Sequence, residues 1–187
     1  MISKKENPSA ILSKEWIIES FLDMLAVKPL SSISISEIAE NAKVDRRTFY
    51  RHFKSKNEVM RYYIHDVAKQ FEKIFFHNNI NDIYLNTKTL YEILLTMKET
   101  LLIVHKQNLL DMFISDFETI YEKYQYKIIR CQKPEILKLD NVDYYLAYER
   151  GGIINIVKKW IAEGCINSPD KMGKIFENYV LSLKENI

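Results

Sequence analysis

Apolar residues recur at helical spacing along almost the whole chain. Ile17, Phe21, Met24 and Leu25 fall at i, i+4, i+7 and i+8, which predicts a first helix from about Ser9 or Ser13 to Val27, ended by Lys28-Pro29. Ser34-Ile35-Ser36-Glu37 spells a capping box, in which the Ser hydroxyl and the Glu carboxylate satisfy each other's orphan amides. Ile35, Ile38, Ala39 and Ala42 then share one helical face. Lys43-Val44 leaves no room for a true loop, and Asp45 is a second N-cap, ahead of a helix from Arg46 to Phe53. Two short helices about so tight a turn have helix-turn-helix spacing, and the first helix makes the third side of a small domain. A second capping box, Ser55-Lys56-Asn57-Glu58, opens a long helix to about His77 with the stripe Met60, Tyr63, Ile64, Val67, Phe71, Ile74 and Phe75.

Asn78 to Asp82 breaks the pattern, and helical spacing then resumes. Leu90, Tyr91, Leu94, Leu95, Met97, Leu101, Leu102 and Val104 predict a helix from Thr87 to about Lys106. Met112, Phe113, Asp116, Phe117, Ile120, Tyr121 and Tyr124 predict another from Leu109 to about Arg130, interrupted by Pro134. Between Asn141 and Glu163 apolar residues stand almost all round: Leu146, Ile153, Val157 and Trp160 on one face, Tyr145, Tyr148, Gly152 and Ile156 on its neighbour. A helix apolar on two faces needs two partners, one its own core and the other a second subunit, with Gly151-Gly152 permitting close approach. Gly164 caps its end, and Pro169 opens a last helix striped by Met172, Ile175, Phe176, Tyr179, Val180 and Leu183.

With only four Gly and four Pro in 187 residues and no alternating strand pattern, the fold class expected is all-α. No stretch approaches the ~18 uninterrupted apolar residues of a membrane span, and the N-terminus MISKKENPSA lacks a signal peptide's apolar core, so the protein is expected in the cytoplasm. Cys131 and Cys165 stand far apart with no Cys/His cluster, and His52, His65, His77 and His105 show no metal-ligand spacing. There is also no Gly-rich phosphate loop and no nucleophile motif. No catalytic site, metal or cofactor is expected.

Charge locates the chemistry. Between Lys43 and Arg61 stand seven Lys or Arg against two Asp or Glu, in a chain whose net charge is only +2. Phe49 and Phe53, four apart, pack inward with Val44 and leave Arg46, Arg47, Thr48, Tyr50, Arg51 and His52 outward, a donor-rich face suited to double-stranded DNA. Arg46, Arg47 and Tyr50 are the expected base-edge contacts, since an Arg fork matches O6/N7 of guanine. Thr48, Arg51, His52, Lys54 and Lys56 are the expected phosphate contacts. Lys4 and Lys5 are placed to reach a neighbouring phosphate or a minor groove.

These residues carry a family resemblance. Ile33 to Lys56, with its I-A-x-x-A-x-V core, its T-F-Y-x-H-F recognition helix and its Lys-x-Lys lead, resembles the N-terminal DNA-binding domain of TetR-family transcriptional regulators. Lys43 stands where the family usually has Gly; a left-handed backbone there costs Lys on the order of 1 kcal/mol relative to Gly. Arg51 stands where the family is usually aromatic. Gly151–Trp160, Gly164 and Ser168-Pro169 resemble the C-terminal domain of the subgroup that regulates dihydroxyacetone kinase operons.

The resemblance implies a helix-turn-helix domain over residues 1–54 and a helical domain over 55–187 for effector binding and dimerisation, with 55–77 as the connecting helix. The function it implies is a sequence-specific repressor that binds a palindromic operator as a homodimer. The alternatives are an activator, or a helical interaction module answering to a protein partner. Tyr145, Gly152, Ile156, Trp160, Phe176 and Tyr179 are the expected dimer interface. Met97, Phe113, Phe117, Tyr121 and Tyr148 are the candidates to line a pocket for an unknown small-molecule or protein effector, with Glu149 and Arg150 as nearby polar groups.

Overall fold

The computed structural model describes residues 8–75, 82–132 and 134–185. Lys4, Lys5, His77 and most of the 78–82 break lie outside them, as do the side chains of Phe71, Ile74, Phe75, Asp116, Ile120, Tyr124, Cys131, Val180 and Leu183. Every regular element among the described residues is helical: α1 Pro8–Val27, α2 Ile35–Asn41, α3 Arg46–His52, α4 Lys56–Phe75, α5 Ile83–Thr96, α6 Lys98–Lys106, α7 Leu110–Gln132, α8 Val142–Ala162 and α9 Pro169–Glu185. Short 3-10 turns at Leu30–Ser32 and Pro134–Lys138 join α1 to α2 and α7 to α8. Pro134 therefore opens a helical turn as well as closing α7.

The chain divides into two compact units, residues 1–64 and 65–187, and the division falls inside α4. The sequence placed the change of domain at the start of that helix. Val59, Met60 and Ile64 explain the later position: they are buried, and they belong to the N-terminal unit.

In that unit Ile17, Phe21 and Leu25 of α1 are buried, as are Ile33, Ile38, Ala39, Phe49 and Phe53. Each large side chain so enclosed contributes about 1.5–3 kcal/mol relative to exposure. Where α1 crosses α2, the buried Ser20 hydroxyl donates to the Ile38 carbonyl at 2.9 Å. The capping box of α2 is formed as read, with Ser34 Oγ accepting from Glu37 N at 3.2 Å and the Glu37 carboxylate accepting from Ser34 N at 2.9 Å. Lys28, Ser34 N and Ser34 Oγ all donate to that carboxylate and hold its pKa down to about 2, Lys28 most strongly. The turn after α2 is left-handed at Lys43, φ 54°, with Val44 N donating to Ala39 O at 2.9 Å and Lys43 N to Glu40 O at 3.0 Å. That is a Schellman end, and it requires the conformation in which Gly is the cheaper residue.

In the second unit α5 runs along α9, and α6, α7 and α8 pack on one another. The single helix expected from Thr87 to Lys106 is two. It breaks at Met97 (φ −114°, ψ 21°), where the Thr96 hydroxyl donates to the Ile93 carbonyl at 2.7 Å and competes with the helical ladder. Trp160 stands edge-on to Tyr91 at 4.9 Å. Gly164 ends α8 at φ 81°, with Cys165 N donating to Trp160 O at 2.9 Å. Cys165 itself is buried and free, and burial pushes its thiol pKa up.

Gly173 marks the closest approach of α9 to α5. A Cβ there would lie 2.8 Å from Tyr84 Cδ2 and 2.9 Å from the Tyr84 carbonyl oxygen. Replacing a helical Gly by Ala gains about 1 kcal/mol of propensity. Overpacking against backbone costs about 1–3 kcal/mol, and the Tyr84 hydroxyl is also anchored on the Asp170 carboxylate, so the ring has little freedom to retreat. The second effect wins. Gly173→Ala is expected to lower unfolding free energy by up to about 2 kcal/mol, measured by urea denaturation; an unchanged or raised midpoint would show that α5 and α9 part easily.

Candidate nucleic-acid interface

α3 is seven residues long, and its ends are set by side chains. Asp45 accepts from Thr48 N at 2.6 Å, and that bond holds the carboxyl below its usual pKa. At the other end Phe53 is in the extended region, and its ring is buried 6.0 Å from that of Phe49. Turning Phe49 and Phe53 inward leaves the other face outward, as helical spacing dictates.

Arg46, Arg47, Tyr50 and Arg51 are exposed, and Thr48 is half-buried. Asp45, Arg47, Thr48, Tyr50 and Arg51 line a broad open depression of about 640 Å³. Tyr50 is braced on two sides, by the edge of the Phe49 ring at 5.7 Å and by the Arg46 guanidinium 6.0 Å from its own ring centre. The Lys54 side chain is exposed beside this face.

Two of the expected phosphate contacts are placed differently. His52 Nε2 lies 2.8 Å from Ser13 Oγ, tying the end of α3 to α1. Lys56 Nζ donates to Leu30 O at 2.6 Å, to Ile33 O at 2.8 Å and, more weakly, to Ser31 O at 3.4 Å. Both groups make these bonds inside the unit, where they help to hold its helices together. Ser13 is the residue that sequence reading missed; 39 positions from His52, it gives no periodic signal.

The second unit sorts the remaining candidates. Tyr145 of α8 and Tyr179 of α9 are exposed, as is Gly152, while Ile156 is half-buried. An added Cβ at Gly151 or Gly152 meets nothing within 4 Å, so their small size serves no packing inside the protomer. Trp160 is 1% exposed, and its indole N–H donates to Asn167 O at 2.9 Å: it is core, not surface. Phe176 is half-buried against Tyr91.

Of the five effector candidates, Tyr148 stands apart from the interior. Met97 and Phe113 are buried, and Phe117 stacks on Tyr121 at 6.1 Å. Tyr148 is 73% exposed and hydrogen-bonds to Tyr179, on the outer face of α8 and α9. Beside Tyr121, whose pKa is raised chiefly by burial, lies a polar network that stitches α7 to α8. Arg150 donates to Gln125 Oε1 at 3.1 Å and lies 3.5 Å from Glu118, while Gln125 Nε2 donates to Glu149 at 3.0 Å and Leu146 O at 3.3 Å.

Among the described residues no three His, Cys, Asp or Glu gather where they could hold a metal ion, and no helix is long and apolar enough to cross a membrane.

Comparison with known proteins places this geometry. Residues 17–63 match the family model described as bacterial regulatory proteins, tetR family. No curated protein sequence matches the chain. Solved structures share its fold, three of them as follows. The fatty acid degradation regulator FadR from Bacillus halodurans superposes with a TM-score of 0.64 at 19% identity, over 94% of this chain and 95% of that one. The dihydroxyacetone kinase operon activator DhaS gives 0.58 at 21%, over 92% and 96%. A transcriptional regulator from Aquifex aeolicus gives 0.54 at 17%, over 91% and 99%.

Proposed function

Because the chain belongs to the TetR family of bacterial regulatory proteins and its N-terminal unit carries that family's DNA-binding helix-turn-helix, we propose that it binds a palindromic operator as a homodimer, in the cytoplasm, and represses transcription until an effector engages the C-terminal unit. The observation that carries this reading is the division of α3: Phe49 and Phe53 are buried, and Arg46, Arg47, Tyr50 and Arg51 are exposed on one short helix capped by Asp45. Arg47 and Tyr50 reach base edges; Arg46 braces Tyr50 and reaches the same groove. Thr48, Arg51 and Lys54 contact phosphates, which fix register without reading sequence.

One such helix reads too few base pairs to be selective. A two-fold dimer sets two of them about 34–36 Å apart, in successive major grooves. The outer face of α8 and α9 supports that assembly, since it carries Tyr144, Tyr145, Tyr148, Ile175 and Tyr179 exposed and offers Gly151-Gly152 for close approach. The C-terminal unit is where an effector acts, through a difference in its affinity for two arrangements of the dimer. A shared fold at 21% identity brings no ligand with it, and none is carried over from the dihydroxyacetone kinase regulators.

Selection of the full chain against a pool of random duplexes tests the reading. The sequences enriched are expected to be palindromes with half-site centres about one helical turn, or ~10 bp, apart. A pool that stays random after successive rounds would replace DNA reading with a protein-interaction role.

A further inference from the structure

We infer that Tyr84 sets the half-site spacing the dimer accepts: its bond to Asp170 latches α5 to α9 and so fixes how far apart the two copies of α3 are held. The inference rests on the reading of the chain as a dimeric DNA binder and concerns which operators that dimer tolerates.

α5 and α9 run parallel, since Tyr84 meets Asp170 and Gly173 while Tyr91, further along α5, meets Phe176 at 6.5 Å. The two backbones come together at Gly173, where an added Cβ would lie 2.9 Å from the Tyr84 carbonyl oxygen. A crossing on a bare glycine offers no side chain to stop the helices tilting. The Tyr84 hydroxyl, donating to Asp170 Oδ1, is the directional contact that fixes their angle. Both ends of that bond are themselves held: Lys174 Nζ stands 2.7 Å from Asp170 Oδ2, and Lys88 Nζ lies 6.0 Å from the centre of the Tyr84 ring.

The latch lies between the dimer face and the helix that carries α3. α9 turns Asp170, Gly173 and Phe176 toward α5 and leaves Ile175 and Tyr179 exposed on the face proposed for the partner copy, so α5 stands one helix behind that face. Six residues separate the end of α4 at Phe75 from Asp82, which caps α5. α4 has 20 residues and starts just after α3. At ~1.5 Å per residue it is ~30 Å long, so a tilt of about 5° at its far end moves its start by about 2.6 Å, and two copies double the change. One base pair occupies about 3.4 Å of duplex. Play of a few degrees at the crossing therefore alters the accepted spacing by a base pair, and the Tyr84 bond removes that play.

The test compares the wild-type full chain with three variants. Tyr84→Phe keeps the ring and removes the donor, Asp170→Asn keeps an accepting oxygen and removes only the charge, and Gly173→Ala pries the same crossing apart. Affinity is read on the selected palindrome and on palindromes whose half-sites stand one base pair closer or further. Without DNA, pulsed electron resonance reads the distance between spin labels on the two chains of the dimer, placed by Asn57→Cys in a Cys131→Ser background; Asn57 is exposed in the first turn of α4. Tyr84→Phe is expected to lose about fivefold of the preference for the selected spacing and to widen the label-distance distribution. Asp170→Asn is expected to match wild type in both readouts, and Gly173→Ala to shift the mean distance. A structural role alone weakens Tyr84→Phe equally on every spacing, and that result overturns the inference. An unchanged distance distribution in Tyr84→Phe overturns it as well, as does Asp170→Asn behaving like Tyr84→Phe. Should the wild-type chain select no duplex, the DNA reading falls and the label distances decide the latch; should it sediment as a monomer, the latch falls with the dimer.

Discussion

Arg47→Ala and Tyr50→Ala are each expected to abolish selective operator binding while leaving helical content and dimer mass unchanged. Both side chains are exposed and both line the open face of α3, so neither supports the core. Truncation removes donors from the surface and leaves no buried cavity. A base contact is worth about 1–3 kcal/mol of discrimination, and a two-fold dimer loses it twice. The expected loss is therefore roughly 30-fold to more than 10⁴-fold in affinity for the operator over random DNA. Lys54→Ala is the contrast. Removing a phosphate contact weakens binding about equally on all sequences and lowers the salt slope. Competition anisotropy separates the two cases, and wild-type selectivity in either α3 variant would remove that residue from the reading set.

The second large effect belongs to the far end of the chain. Ile156 lies on α8 one turn beyond Gly152 and is half-buried within the protomer. A charge there is tolerated by a monomer and not by a two-fold interface, where it is desolvated twice and faces its own copy. Ile156→Glu is expected to convert the dimer to a folded monomer and to cost operator affinity by orders of magnitude, since the second α3 is lost with the partner. Sedimentation velocity reads the mass directly. A dimer that survives Ile156→Glu would move the interface off this face of α8.

Much of this was legible in the sequence. The capping box of α2, the inward pair Phe49 and Phe53 and the left-handed turn at Lys43 are local events, written in residues no more than a few positions apart; of the second box only the Ser55 hydroxyl's bond from Glu58 N forms, and the Glu58 carboxylate takes the Lys54 amide instead. What the sequence could not assign depends on distance or on choice between equal faces. Lys56 and His52 read only as phosphate contacts, because their partners inside the unit lie 23–26 and 39 positions away. α8 is apolar nearly all round, so periodicity alone could not say that Leu146, Ile154, Val157, Trp160 and Ile161 form the inner face. For the same reason Tyr148, which has the spacing of the other aromatic candidates for an effector pocket, lies on the outside. The break at Met97 coincides with a bond from the Thr96 hydroxyl to the Ile93 carbonyl, which apolar periodicity does not register.

The most direct measurement is an anisotropy titration of the full chain against the selected palindrome and against one isolated half-site, at about 50 and about 200 mM salt. Random-sequence competitor is present in each titration. The account predicts one dimer per palindrome, far weaker binding to the half-site, and affinity that falls steeply with salt while selectivity persists. Equal binding to palindrome, half-site and competitor would contradict it, leaving the basic face of α3 as an unspecific charge and not a reader of sequence.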